Sequence, residues 1–452
     1  MAEPRASRNL PRLTVRGWGL VAASLVAFVL TQVFRRQEIA YLACFLLAVP
    51  VAAFVWVAAR RVALSVRRRF TPESGSVGQA ITATVFVQNW GTMRTPAAVW
   101  VERADAPLRA SEPAPLPPLP GYSSSTIDEP ALSLLRYRLD TRFRGAHPIG
   151  PFEVTLTDPF GCAVRRLRFG DLETVLITPT VYELARIDLR LSTGDGAEQM
   201  SRRLVGAGEQ DVIARKYLPG DSIRRVHWPA TAKHGELMVR QDDQRNDQDA
   251  VILLDASSFA AAAEAAGAAG AAGGHAANAE YDPAFEWAVS AVGSVAVHLM
   301  NEGYGVRLVG HSAVGEHDDE TVFTAPHGAS LVLRSLAFAR SDALHDPLDF
   351  RAAVEQASLT SPDAPPVFAF VAAIPGAAER VRELAGMSSH PVAFVVSEPR
   401  RSGGREGGRA KAAAASAVAA ELRASGWTAL ECGADDALPA LWKALGDARG
   451  IS

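Results

Sequence analysis

The sequence predicts a multidomain α+β protein with a transmembrane helical hairpin, then a β-sandwich, then a doubly wound α/β domain. Three observations predict this order. Two long uncharged apolar runs stand near the start, short alternating segments follow them, and residues 248–452 alternate apolar runs with helical patterns. A chain of 452 residues is long enough for two or three domains.

The composition excludes several classes of protein. Hydrophobic residues make up 48% of the chain and charged residues 21%, which excludes a disordered or collagen-like protein. Three cysteines are too few for a disulfide framework or a cysteine-rich zinc module. The net charge of −3 hides a basic head, because residues 1–70 contain 11 arginines and 2 acidic residues. With an acidic remainder, the chain is not expected to bind nucleic acid.

Residues 1–61 are predicted to form an N-terminal tail and a two-helix hairpin. The runs 17–34 and 39–59 carry no charge, and each is close to the roughly 20 residues that cross a bilayer. The four residues between them allow only a tight turn. A cleaved signal peptide followed by one anchor is the alternative, but the first run is long for a signal peptide and no small-residue cleavage site follows it.

Basic residues predict the orientation of this hairpin. Four arginines precede the first run and five follow the second, whereas the turn carries two. Because basic flanks stay in the cytoplasm, both termini are expected there, in a multi-pass protein of the inner (plasma) membrane. The lipid bilayer is therefore the first expected partner.

Residues 62–185 are predicted to form the β-sandwich. Segments such as QAITATVFVQNW and FEVTLTDPF alternate apolar and polar residues or are rich in Val, Ile and Thr, and Gly, Pro, Ser and Asn clusters separate them. Residues 186–247 follow as a polar linker.

Residues 248–452 are predicted to form the α/β domain. Its first strand is the nearly continuous apolar run in DAVILLDAS, which is typical of a strand buried in a parallel sheet. Residues 260–279 are almost entirely Ala and Gly and are expected to be a surface insertion.

Motifs that would identify an enzyme are missing from the sequence. It contains no phosphate-binding P-loop, no H-E-x-x-H zinc motif and no complete dinucleotide-binding glycine pattern. The nearest approach to a nucleophile elbow is His311-Ser312, but the glycine two residues after the serine is absent. The sequence therefore predicts a protein that is not an enzyme, and a hydrolase is the least favoured alternative.

The densest unusual segment is residues 209–241, rich in Arg, Asp and aromatic residues. Pro219-Gly220 predicts a turn, and Asp221 follows at a predicted helix start where arginines can pair with it. Trp228 can shield such pairs or contact a partner. The segment is either a rigid clasp between domains or a docking surface for a protein, and both interpretations stay open at this point.

The same segment resembles the hallmark of the bacterial domain-of-unknown-function family 58. The matching residues are Arg215, Tyr217, Gly220, Asp221, Arg224, Val226, Trp228, Thr231, Ala232 and Lys233. The N-terminal hairpin, Arg144-Gly145, Asp158-Pro159-Phe160-Gly161 and a strand ending at Asp255 look similar too, so the resemblance covers about residues 15–400.

The resemblance implies a membrane hairpin, a β-sandwich and a von Willebrand factor A-like domain. It also implies partners, because members are often encoded beside MoxR-type AAA+ ATPases and transglutaminase-like membrane proteins. It implies no established reaction.

A von Willebrand A-like domain implies a Mg²⁺ site built on D-x-S-x-S after the first strand. Asp255 and Ser257 match this pattern, whereas Phe259 replaces the second serine. The loop at 375–377, where a further carboxylate is expected, has none. Two ligands are too few for a tight Mg²⁺ site, so no cofactor is expected. Asp255 is expected instead to cap the following helix or to pair with an arginine of the hallmark.

The leading hypothesis is a membrane-anchored, cytoplasmic-facing adaptor or assembly factor that works with a MoxR-type AAA+ ATPase and possibly other membrane proteins. Its hallmark residues would form the partner-docking surface or the interdomain clasp. The alternative is a Mg²⁺-dependent adhesion-type protein-binding domain that uses Asp255 and Ser257.

Overall fold

The computed structural model describes residues 10–104, 111–122, 132–187, 213–216, 228–241, 249–271, 282–310, 322–341, 347–360, 364–399 and 405–448. Contacts group the chain into two compact units, Met1–Thr180 and Val181–Ser452. The four-segment division expected from the sequence stays a prediction.

Two apolar helices open the first unit. They are α1 (Val15–Phe34) and α2 (Gln37–Ala59), and Thr14 caps the first by accepting a hydrogen bond from Gly17 N at 3.2 Å. The buried Ser24 hydroxyl donates to the Ala43 carbonyl at 2.8 Å, so the two helices pack against each other. Both are long and apolar enough to cross a membrane, which supports association with one.

Two β-sheets complete the first unit. Its strands are β1 (Arg12–Leu13), β2 (Leu64–Thr71), β3 (Ser74–Ser76), β4 (Ile81–Asn89), β5 (Ala98–Ala104), β6 (Ala114–Leu116), β7 (Leu132–Leu139), β8 (Gly145–Thr157), β9 (Ala163–Phe169) and β10 (Glu173–Thr178). One sheet has the order β2-β4-β7; the other has the order β1-β9-β8-β10-β3, with β5 beside β8 and β6 beside β5.

The two sheets share a hydrophobic core. β4 alternates buried and half-buried residues along its whole length, as its sequence alternation predicts. Its Val85 and Val87 belong to the same buried cluster as Trp100 and Phe152 of the other sheet. This arrangement agrees with the predicted sandwich.

A buried ion pair interrupts the apolar interior of this unit. Arg68 Nε donates to both carboxylate oxygens of Glu102 at 3.1 Å, and the two side chains are 0% and 1% exposed. Arg68 Nη1 also donates to the Asp171 carbonyl at 2.9 Å and to Glu173 at 3.3 Å. Burial raises the pKa of Glu102 to about 6, although Arg68 acts in the opposite direction.

The second unit contains a largely parallel sheet. Its strands are β13 (Asp249–Leu254), β14 (Gly305–Val309), β15 (Val322–Phe323), β16 (Val367–Ala372), β17 (Pro391–Ser397) and β18 (Thr428–Gly433). They lie in the order β15-β14-β13-β16-β17-β18, and only β15 is antiparallel to its neighbour among these described strands. Every residue of β13 and β16 is buried, as the apolar runs predict.

Helices cover both faces of this sheet. On one face lie α4 (Ala256–Ala271), α5 (Pro283–Asn301), α6 (Gly328–Ala337) and α10 (Leu438–Ala448). On the other lie α7 (Pro347–Thr360), α8 (Ala377–Val381) and α9 (Arg405–Ala424). The predicted helix–sheet–helix arrangement is therefore present, and the finer assignment to the von Willebrand A type stays a prediction.

A small separate motif precedes this sheet in the chain. Strand β11 (Ile213–Lys216) pairs antiparallel with β12 (Met238–Gln241), and the helix α3 (Trp228–His234) lies between them in sequence. Most of the hallmark falls in or next to this motif.

Candidate functional site

The order of the parallel strands defines a candidate site. The chain leaves β13 for β14 on one side, and later returns to β16 on the other side of β13. Ligands of such sheets bind where the strand order reverses, at the carboxyl ends of the two central strands. In this protein those ends are followed by Asp255 and by the turn that leads into α8.

Asp255 is the centre of this edge. Its side chain is completely buried, and its Oδ1 accepts a hydrogen bond from the Ser257 hydroxyl at 2.7 Å. Its Oδ2 accepts from Arg380 Nε at 2.8 Å. Arg380 Nη2 in turn donates to the Ser257 hydroxyl oxygen at 2.6 Å, so the three side chains form a closed triangle.

The backbone holds this triangle in place. Asp255 N donates to the Phe370 carbonyl of β16 at 3.0 Å. Ser258 Oγ donates to the Asp255 carbonyl at 2.7 Å and accepts from Ala372 N at 2.9 Å. Ser258 therefore ties the start of α4 to β16, and Phe259 lies fully buried in the core.

The triangle does not fit a divalent cation. Mg²⁺ prefers a set of oxygen ligands. The Asp255 carboxylate is already paired with the Arg380 guanidinium, and this guanidinium also contacts the Ser257 hydroxyl, the other ligand expected. Among the residues that the structure describes, no group of three or more His, Cys, Asp or Glu side chains is placed to hold a metal. Arg380 supplies the positive charge that a metal would supply.

Arg380 is the site residue that sequence reasoning missed. A von Willebrand A-like site implies a carboxylate in the loop at 375–377, whereas Arg380 lies in the helix that follows this loop. Two roles were expected for Asp255. It does cap the following helix, because its Oδ1 accepts a hydrogen bond from Ser258 N at 3.4 Å. It also pairs with an arginine, but this arginine is Arg380, which lies outside the hallmark.

A titration with Mg²⁺ tests this description. Adding Mg²⁺ or Mn²⁺ to the full chain in detergent is expected to produce no binding heat, because Arg380 already neutralises Asp255. Isothermal titration calorimetry up to millimolar metal measures this directly. Saturable heat that disappears in Asp255→Asn would show that the carboxylate does bind a cation.

The described part of the hallmark gives a second candidate site. Trp228 begins α3, and its side chain is 64% exposed. Thr231 holds the helix to the next strand, since its Oγ1 accepts from Met238 N at 3.0 Å. Its carbonyl accepts from Gly235 N at 2.9 Å, just after the helix ends. Lys233 is exposed. The backbone of Arg215 pairs with Val239 across β11 and β12.

Several predicted site residues lie outside the described residues. They are Tyr217, Gly220, Asp221 and Arg224 of the hallmark, together with His311 and Ser312 of the incomplete nucleophile motif. The roles expected for them stay predictions.

Comparisons with known proteins support the family resemblance. A family model described as "Protein of unknown function DUF58" matches residues 213–272, which include β11, α3, β12, β13 and α4. No curated protein matches the chain.

Solved structures show only weak similarity. One is the CARDB domain of a Pyrococcus furiosus protein in complex with di-metal ions, with 13% identity over 26% of this chain and 93% of that one, at a TM-score of 0.19. Another is a cycloisomaltooligosaccharide glucanotransferase of Paenibacillus sp., with 9% identity over 73% of this chain, also at 0.19. The chain spans 48% of that second protein. Likeness of this degree carries no argument about fold or function.

Proposed function

We propose that this protein is a membrane-anchored adaptor that binds a protein partner through the surface around Trp228. The exposure of Trp228 is the observation that carries the proposal. Tryptophan is usually highly buried on average, and it is enriched among the residues that dominate binding energy at protein interfaces. A tryptophan used as an internal clasp would be covered, so its exposure favours docking over the clasp.

The surroundings of Trp228 suit a docking surface. Helix α3 is tied to β12 through Thr231, so the indole stands on an ordered element rather than a free end. Leu237, in the turn after the helix, is 47% exposed, and Lys233 adds a positive charge. An apolar centre with a charged neighbour is the usual composition of an interface.

The anchor and the partner class complete the proposal. The helices α1 and α2 are long and apolar enough to cross a membrane. We propose that they span the inner membrane with both termini in the cytoplasm, so that the docking surface would lie in the cytoplasm as well. The partner we propose is a MoxR-type AAA+ ATPase, because the resemblance to family 58 implies one. No reaction is proposed for the chain itself.

Binding measurements with Trp228→Ala test the docking proposal. We expect the affinity for a purified MoxR-type AAA+ ATPase to fall by about 30-fold, which corresponds to the roughly 2 kcal/mol lost at an interface hot spot. Co-purification from detergent extracts and a biosensor titration both measure this. The matched control is Tyr182→Ala, which removes another half-exposed aromatic side chain of the same unit. Equal affinity of Trp228→Ala and the wild type would remove the docking role.

The two alternatives have their own tests. The Mg²⁺-dependent adhesion domain requires Asp255 and Ser257 to bind a cation, and the contacts of Arg380 oppose it. The hydrolase requires Ser312 to act as a nucleophile, and labelling by an activity-based serine probe would support it.

A further inference from the structure

The turn Asp158–Cys162 holds the first turn of α1. Thr14 N donates to the Cys162 carbonyl at 2.9 Å, and Thr14 Oγ1 donates to the Gly161 carbonyl at 2.7 Å. Helix and turn lie so close that a Cβ on Gly17 would stand 2.3 Å from the Cys162 carbonyl oxygen. This turn contains the sequence Asp158-Pro159-Phe160-Gly161 noted above. It lies against the start of α1, so that the Gly161 and Cys162 carbonyls accept hydrogen bonds from Thr14.

The geometry of the turn leaves Phe160 outside. The buried Asp158 carboxylate accepts hydrogen bonds from Phe160 N at 2.8 Å and Ala163 N at 2.5 Å, and Gly161 adopts a left-handed φ of 69°. Since these contacts fix the backbone on both sides of the phenylalanine, its ring points away from the core and is 66% exposed. The turn therefore presents the Phe160 ring to the exterior at a fixed position.

The depth of Phe160 relative to a membrane follows from the helix. A helix of 20 residues is about 30 Å long, which matches the hydrocarbon thickness of a bilayer. If α1 spans the membrane, its first residue lies at one interface, and so does the turn bonded to Thr14. Trp18 is 62% exposed just inside this end, and Arg60 stacks on Trp56 at 4.6 Å. Aromatic residues are enriched at this level of membrane proteins.

Arginines surround the same end of the hairpin. Arg165 Nη1 donates to the carbonyls of Ala58 and Arg60 at 3.3 and 3.1 Å, where α2 ends. Arg12 pairs with Val164 in the adjoining strand and is exposed, as is Arg16, which lies beside Gly161. If α1 spans the membrane, the exposed Arg12 and Arg16 would lie at the level of the phosphates of anionic lipids.

We propose that the Asp158–Cys162 turn is a third membrane contact, in which Phe160 inserts among the lipid headgroups and the neighbouring arginines bind anionic phospholipids. The proposal rests on the membrane anchor proposed above. The proposed partner of the turn is a lipid surface. This contact would hold the β unit at a fixed distance from the bilayer, in addition to the two spanning helices.

Fluorescent labelling of single cysteines tests the contact. Phe160→Cys in a Cys44→Ala background is labelled with an environment-sensitive fluorophore, since the remaining cysteines, Cys162 and Cys432, are buried. In vesicles of phosphatidylcholine and phosphatidylglycerol, we expect blue-shifted emission and strong quenching by a nitroxide at the headgroup. We expect both effects to be weaker in pure phosphatidylcholine, because the arginines then lack anionic lipid.

Two matched positions make the result specific. Leu172→Cys, 63% exposed and beyond the opposite end of β9, should show neither effect. The native thiol of Cys44, exposed in the first half of α2, reports whether the hairpin is inserted. If the Cys44 probe is quenched by lipid and the 160 probe behaves like the 172 probe, the third contact is wrong and the anchor stands. If the Cys44 probe is not quenched, the anchor itself fails. A 160 probe shielded from water but not quenched by lipid would indicate a protein contact and overturn the lipid assignment.

Discussion

Replacing Arg380 by alanine is expected to destabilise the α/β unit by about 3 kcal/mol. The variant leaves the Asp255 carboxylate in the core with no cation, and this carboxylate is 0% exposed. Removing one partner of a buried pair costs much more than the pair contributes, because the remaining charge has lost its solvation and its counter-charge. Hydrogen exchange of the β13 and β16 amides in the full chain should therefore become about a hundredfold faster.

The chain offers a close control for this prediction. Arg382 stands two residues later and pairs with Glu421 at the surface, where the two side chains are 46% and 39% exposed. Arg382→Ala should change stability by less than about 1 kcal/mol. The double variant Asp255→Asn with Arg380→Ala should recover part of the loss, since no charge is then buried. Similar exchange in Arg380→Ala and Arg382→Ala would show that the triangle is not what holds this edge together.

Replacing Arg68 by methionine is expected to have the other large effect, a loss of about 4 kcal/mol from the β unit at pH 8. Methionine fills much of the same volume but leaves the Glu102 carboxylate buried without its partner. The exposed neighbours on the same strand, Arg67→Met and Arg69→Met, serve as controls and should stay close to the wild type. Hydrogen exchange of the β4 and β8 amides, corrected for the intrinsic rate at each pH, measures the difference.

The loss in Arg68→Met is expected to depend on pH. In the wild type, burial already raises the pKa of Glu102 from 4.5 to about 6, and removing Arg68 raises it further. A carboxyl pKa that is raised in the folded state means that the folded protein binds this proton more tightly than the unfolded chain does. The stabilisation that comes from protonating Glu102 is therefore complete below pH 4.5, and it is lost as the pH rises through the folded pKa of about 6. Arg68→Met should therefore be less destabilised at pH 5 than at pH 8. A loss that is the same at both pH values would contradict the assignment to Glu102.

The candidate edge site was only partly predictable. The apolar run ending at Asp255 indicated a buried strand and a carboxylate at its end, and both are present. Its partner Arg380 lies 125 residues away in the chain. No pattern in the sequence predicts that these two residues meet. Their contact depends on the strand order, in which β14 lies on one side of β13 and β16 lies on the other.

The hallmark illustrates a different limit. Its spacing was enough to predict a match to family 58, and the family model agrees over residues 213–272. Spacing could not decide whether Trp228 is covered or exposed. That depends on which surfaces pack over a short helix, and the structure leaves the indole 64% exposed.

The sequence by itself determined the elements whose signal is local. Twenty apolar residues are sufficient to predict a helix that is long and apolar enough to cross a membrane. Alternation along β4 or continuous apolarity along β13 reports the average environment of a single segment. The tertiary structure alone decided which distant groups meet, namely Arg380 with Asp255, Arg68 with Glu102, and Thr14 with the turn at Gly161. The physical reason is that a periodic pattern indicates burial but not neighbours, whereas a charge or a hydrogen-bonding group acts through the specific partner that the strand order brings within about 3 Å.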